Sequence, residues 1–157
     1  VCFHNTRSYW STAYHPGLNS LYIPFHDQCL DLAANEKSPQ GWGPRRSAPR
    51  PGADMKKFSN IAKVNLSTGK IDVIHSQPEP GNGSALVTGG NLLFWGDMNR
   101  RFRAFDAATG KVLWQTVVGG IVQTSTITYA VGGRQYVAIL TGDGQSGTAG
   151  PIAARPP

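Results

Sequence analysis

The sequence predicts an all-β protein, on three observations. Short runs of alternating apolar and polar residues, bounded by Gly, Pro, Asn and Asp, recur along the 157 residues, the pattern of strands with one buried face. No window of about 11 residues or longer carries the 3.6-residue apolar repeat of a helix. Gly and Pro contribute 19 and 11 residues. That is about 19% of the chain, against roughly 12% in an average protein and 25–30% in low-complexity chains, so the chain is rich in turns yet able to pack a core.

In chain order the alternation predicts strands at Ser11–Tyr14, Ser20–Phe25, Ile61–Leu66, Ile71–His75, Ser84–Thr88, Asn91–Gly96, Arg101–Asp106, Lys111–Val117, Ser125–Ala130 and Arg134–Thr141. The turns between several of them have the right chemistry. Gly89-Gly90 and Gly132-Gly133 suit two-residue hairpin turns, and Thr68-Gly69-Lys70 and Thr109-Gly110-Lys111 suit corners with a left-handed glycine. Ala33–Phe58 breaks the series. It carries Ser38-Pro39, Gly41-Trp42-Gly43-Pro44, Pro49, Pro51 and Gly52. Such a stretch is expected to form no regular ladder and to run over the surface, as a functional loop or lid or as decoration.

The two Thr-Gly-Lys corners lie 41 residues apart, with Asn65 and Asp106 at matching positions before them, and Ser84–Thr88 is offset from Ser125–Ala130 by the same 41. A period near 40 with four short strands per unit is the spacing of a β-propeller blade. The layout is one blade over 11–75 with the excursion 33–58, one over 84–117, a partial blade over 125–141, and a tail over 142–157. A propeller closes with at least about four blades. These residues therefore read as under three blades, a fragment of a longer polypeptide or a subunit completed by another chain.

Composition excludes several functional classes. Charged residues make up 15% of the chain, too few for a coiled coil or an acidic tail, and no apolar stretch approaches the ~18 residues of a membrane span. The net charge of +6 admits acidic partners, yet Arg45, Arg46 and Arg50 cluster in one Pro/Gly-rich stretch and Arg100, Arg101 and Arg103 in another, without the periodic Lys/Arg and stacking aromatics of a nucleic-acid module, so both read as solvated loops. Cys2 and Cys29 are too few for a four-ligand zinc site and make no CxxC pair, which leaves one disulfide or two free thiols. Gly142–Gly147 spells G-x-G-x-x-G, but no βαβ unit surrounds it. His4, His15 and His26 share no strand face, so His15 reads as a turn residue and His26 as a surface group. No Ser/His/Asp order or nucleophile elbow is present.

Ala104-Phe105-Asp106-Ala107-Ala108-Thr109-Gly110-Lys111-Val112-Leu113-Trp114 fits A-x-D-x-x-T-G-K-x-x-W. Asp106 can accept turn N–H groups, Gly110 can take a left-handed conformation, and Trp114 offers a flat face to a neighbouring blade. The stretch resembles the tryptophan-docking motif of quinoprotein dehydrogenases; Ala62–Val73 is a degenerate copy with Asn65 for the acid and Val73 for the Trp. Gly89–Phe94 with Gly96-Asp97, Ile127–Tyr129 with Gly133–Ala138, Ser11–Pro16 and Leu21–Pro24 extend the resemblance to the closing, C-terminal blades of PQQ-dependent methanol and ethanol dehydrogenases. It spans nearly the whole chain apart from the excursion and the tail after Gly147.

The resemblance implies a propeller of about eight four-stranded antiparallel blades. Pyrroloquinoline quinone would lie on its axis beside Ca²⁺ or a lanthanide, taking hydride from a primary alcohol and passing electrons to a cytochrome c in the periplasm. It also implies that the general base and metal ligands lie in other blades, so this chain contributes no catalytic residue. Two cofactor positions fall within it. Ser8-Tyr9-Trp10 stands where the family often has Asn-Trp, and Asn82, in Gly81-Asn82-Gly83-Ser84, where methanol-type enzymes have Trp. Ser8, Tyr9, Asn82 and Ser84 are thus the candidate cofactor contacts. Cys2 and Cys29 match positions that pair as a disulfide in part of the family. The alternative to an enzyme is a non-catalytic propeller of the same type, a binding or assembly scaffold that keeps the docking motifs and lacks the axial pocket.

Overall fold

The computed structural model describes residues 10–37, 39 and 42–142, with the backbone alone at 30–33 and 42–48. Its strands, in chain order, are β1 (Ala13–His15), β2 (Ser20–His26), β3 (Gln28–Ala34), β4 (Trp42–Pro49), β5 (Ser59–Asn65), β6 (Ile71–Gln77), β7 (Leu86–Val87), β8 (Leu92–Gly96), β9 (Arg101–Asp106), β10 (Val112–Val117), β11 (Thr126–Val131) and β12 (Arg134–Ile139). One 3-10 turn, Met55–Lys57, precedes β5. All strand pairs are antiparallel and fall into two four-stranded sheets, β1-β2-β5-β6 and β7-β8-β9-β10, and two hairpins, β11-β12 and β3-β4.

The two large sheets pack face to face. Tyr22 and Ile61 of the first are fully buried against Leu93, Trp95 and Phe105 of the second, and the Tyr22 hydroxyl donates to the Ala107 carbonyl at 2.7 Å. On the opposite face of the second sheet, Phe94, Phe102 and Ala104 pack with Ile139 of β12. Alternate residues of β8 thus bury both ways, Leu93 and Trp95 toward one neighbour and Leu92 and Phe94 toward the other. Its Leu-Leu-Phe-Trp run is apolar throughout for that reason. A sheet held between two others by its broad faces is blade packing.

Pro24 lies inside a central strand, where its missing N–H would normally cost a ladder bond. Here β1 is short and pairs only with residues 20–22, so no partner is lost on that side; the Pro24 carbonyl accepts from Trp10 Nε1 at 3.2 Å.

Two expectations need correcting. The excursion 33–58 is not devoid of strands, for β3 and β4 pair from Gln28↔Pro49 to Ala34↔Trp42 with an irregularity after Asp31. Its prolines argued against a ladder, but a two-stranded hairpin has two outer edges, and Pro44 and Pro49 can stand on one without leaving a donor unmet. The strand expected over Ser84–Thr88 shrinks to Leu86–Val87. Ser84 and Ala85 spend their hydrogen bonds sideways, on neighbouring segments.

Candidate functional site

The segments leading into β1, β7 and β11 lie side by side. Ser84 Oγ accepts from the Ser11 N–H at 2.8 Å, the Ala85 N–H donates to the Ser11 carbonyl at 3.0 Å, and the Ser84 N–H donates to the Thr124 carbonyl at 3.2 Å. One buried serine therefore ties together the entrances of three successive sheets. Its hydroxyl proton is committed to no described residue.

The turn before it is held just as closely. Gly81 donates to Ser59 Oγ at 2.8 Å, and the Gly83 carbonyl accepts from Trp95 Nε1 at 2.9 Å. A Cβ on Gly81 would stand 1.9 Å from the Trp95 ring, and one on Gly83 would stand 2.7 Å from the Gly96 carbonyl oxygen, so both glycines are required by contact. Between them, the Asn82 amide nitrogen lies 3.3 Å from Met98 Sδ, while Asn82 Oδ1 is buried without a hydrogen-bond partner among the described residues. An orphaned buried amide oxygen is a group waiting for a donor.

Behind this turn, His26 is buried, its ring 5.2 Å from that of Trp10 and 5.0 Å from that of Phe58. Burial pushes its pKa down to about 4, opposed by the Gly81 backbone, and Nε2 has no partner among the described residues. The expectation of a surface histidine is overturned. Ser20, Tyr22, Pro24 and His26 alternate onto the more buried face of β2, whereas hydropathy alone would turn Leu21, Ile23 and Phe25 inward, so the sequence pattern pointed His26 the wrong way.

Asp97 and Arg103 form a buried ion pair at 2.8 Å. Arg103 also donates to Gln77 Oε1 at 3.0 Å and Gln115 Oε1 at 2.8 Å, and Gln77 donates to Asp97 Oδ2 at 3.2 Å, so the pair bridges β6 to β9, β10 and the turn after β8. His75 Nε2 lies 3.2 Å from Gln77 Oε1; burial foremost, with Arg103 adding, lowers the His75 pKa. The remaining carboxylate oxygen, Asp97 Oδ1, accepts from the Asn99 and Arg101 N–H groups at 2.9 Å each. Arg103, read from the sequence with Arg100 and Arg101 as a solvated loop charge, is instead buried on β9 between Phe102 and Ala104, where a charge amid a buried alternating run calls for a buried partner.

In the docking corner, Asp106 Oδ1 accepts from the Thr109 N–H at 2.8 Å and its hydroxyl at 2.7 Å; these bonds foremost hold the carboxyl below its ordinary pKa. Gly110, at φ +76°, closes onto the backbone of Ile74 in the neighbouring sheet. Trp114 on β10 is half exposed and lines a cleft of about 460 Å³ with Leu92, Phe94, Phe102, Val137 and Ile139.

Ser8, Tyr9 and Cys2 lie outside the described residues. Cys29 is buried at the start of β3 and is not a free thiol. Among the described residues no three His, Cys, Asp or Glu side chains gather as a metal site, and no helix is long and apolar enough to cross a membrane.

Residues 54–137 match the family model described as glucose/ethanol/alcohol dehydrogenase, β-propeller domain, designated PQQ. The chain is 32% identical over 132 residues to lupanine 17-hydroxylase [cytochrome c] of a Pseudomonas species, covering 84% of this chain and 19% of that protein. It is 48% identical over 65 residues to 1-butanol dehydrogenase (cytochrome c) of Thauera butanivorans, covering 41% of this chain and 9% of that one. In structure it is similar to a europium-containing methanol dehydrogenase, with a TM-score of 0.71 and 26% identity over 85% of this chain and 24% of the other. The chain thus spans a fifth or less of the length of these two curated relatives.

Proposed function

Since the chain belongs to the PQQ β-propeller family of glucose, ethanol and alcohol dehydrogenases, we propose that it forms the C-terminal blades of a periplasmic quinoprotein that oxidises a primary alcohol and passes electrons to a cytochrome c. The observation that carries this reading is the Gly81–Ser84 turn. Its orphaned Asn82 amide oxygen and uncommitted Ser84 hydroxyl adjoin the seam that joins three sheet entrances.

These groups fit one edge of pyrroloquinoline quinone, an anionic and hydrogen-bonding cofactor. The Ser84 hydroxyl can donate to a carboxylate or carbonyl, and the Asn82 amide oxygen can accept from an N–H or O–H donor. Gly81 and Gly83 keep the turn free of side chains, and Trp95 stiffens it from below. The chemistry the cofactor supplies when bound, beside Ca²⁺ or a lanthanide, is the acceptance of hydride from the alcohol carbon. In this proposal the chain binds and orients, and the proton-abstracting carboxylate and the metal ligands belong to other blades. A Cys2–Cys29 disulfide belongs to the same reading, since an oxidising periplasm would preserve it.

The test uses the complete protein, reconstituted with pyrroloquinoline quinone and Ca²⁺ or La³⁺, with dye-linked oxidation of primary alcohols and retained quinone absorbance as readouts. Asn82→Ala is expected to weaken cofactor affinity by about three- to tenfold, the worth of one neutral hydrogen bond accepted by the amide oxygen. Absence of both quinone absorbance and turnover in the complete, folded protein would leave a binding scaffold instead.

A further inference from the structure

The turn between β8 and β9 places Arg100 at φ +62°. Every other described residue with positive φ is Asn or Gly: Asn19, Asn91, Gly52, Gly69, Gly110, Gly132 and Gly133. Those residues tolerate the left-handed region, whereas an arginine there carries a steric cost of about 1–2 kcal/mol. The backbone cannot relax, because Asp97 Oδ1 holds the N–H groups on either side, at Asn99 and Arg101, and the Arg100 carbonyl accepts from Val118 at 2.8 Å.

Arg100 lines a cavity of about 280 Å³ with Gly119, Gly120, Ile121, Thr141 and Gly142. The opposite wall is equally fixed. Ile121 and Gly142 exchange two backbone hydrogen bonds of 2.8 and 3.1 Å, and a Cβ on Gly120 would stand 2.4 Å from the Gly142 carbonyl oxygen. The Gly119 and Gly120 N–H groups donate to no described residue. Arg101 lies 3.9 Å from Glu79 and Arg103 pairs with Asp97, but Arg100 has no acidic partner among the described residues. Arg100, the Gly119–Gly120 backbone and Thr141 thus line one concave surface, and among the described residues no carboxylate joins them.

We propose that this cavity binds a small oxyanion, a carboxylate or phosphate group of a molecule free in solution. Guanidinium and successive backbone N–H groups are the donor set for such a group, and a cavity of about 280 Å³ has room for one oxyanion and the carbons attached to it. This assignment does not depend on the cofactor reading.

The test is calorimetric titration of the complete protein with inorganic phosphate and, separately, with acetate, against sodium chloride of equal ionic strength. Saturable binding with a Kd of about 1 mM or tighter is expected for at least one of them, and which one binds assigns the head group. Arg100→Gly and Arg100→Asn are expected to weaken that binding by about tenfold or more while melting no lower than the native protein, because both residues accept the left-handed turn. Two residues are tried so that one folded variant suffices. No saturable binding, or binding unchanged in a folded variant, overturns the site.

Discussion

Gly110 lies directly against Ile74 of the neighbouring sheet, so close that a Cβ on the glycine would stand 2.1 Å from the Ile74 carbonyl oxygen. Its repeat counterpart Gly69 has nearly the same backbone, φ +70° against +76°, yet nothing lies within 4 Å of its Cβ position. The two glycines separate conformational strain from inter-sheet contact. Gly69→Ala should cost about 1–2 kcal/mol, the left-handed penalty alone. Gly110→Ala should cost about 1–3 kcal/mol more, because the sheets must move apart. Urea unfolding of both variants decides it; equal losses would mean that the corner does not clamp the sheets.

Arg103→Met leaves Asp97 buried, charged and short of a partner. The expected loss is about 3–5 kcal/mol, characteristic of breaking one side of a buried pair. Adding Asp97→Leu to Arg103→Met should recover part of that loss, although the Asn99 and Arg101 N–H groups then lose their acceptor. A double-mutant cycle on urea midpoints measures the coupling, and additive losses would show that the pair is not coupled.

The His26 pKa is about 4 in the folded chain, below its ordinary value of 6.5. The unfolded state therefore takes up a proton first as pH falls. Stability is full above pH 6.5 and declines down to about pH 4, and His75 is shifted in the same direction. His26→Phe keeps an aromatic ring between Trp10 and Phe58 and should flatten the decline by roughly 2–3 kcal/mol, allowing for packing differences. The readout is the denaturant midpoint at several pH values from 4 to 7. An unchanged slope in the variant would mean that other groups set the acid sensitivity.

If Cys2 and Cys29 are joined, the unfolded and unreduced protein contains no titratable thiol. Two free thiols would end that proposal. Closing a loop with ends 27 residues apart in sequence should contribute about 3–4 kcal/mol, so Cys29→Ser is expected to lower the urea midpoint accordingly.

The strands were legible because their alternation is strong where both neighbours are present. Arg101–Asp106 occurs as read, Asn91–Gly96 starts later than read, at Leu92, and the pair of glycines at 132–133 turns β11 into β12. The β3–β4 hairpin was not legible, since Pro44 and Pro49 weigh against a strand until it is known that the strand has a free edge. At the site, Asn82 and Ser84 could be named from position, but their hydrogen bonds are inter-sheet facts. Ser84 meets Ser11 across 73 residues of chain. The Asp97–Arg103 pair was hidden for a related reason, as its bridging partner Gln77 comes from the adjacent sheet.

The cleft beside Trp114 has a practical side. Trp114 is half exposed, Val117 and Tyr129 are similarly open, and the outer edges of β10 and β12 have no further strand in the described residues. An apolar wall next to open strand edges is a sticky surface in a concentrated solution. Preparations of these 157 residues alone would then be governed by colloidal behaviour, with yield and turbidity that depend on protein concentration, unless the cleft is covered.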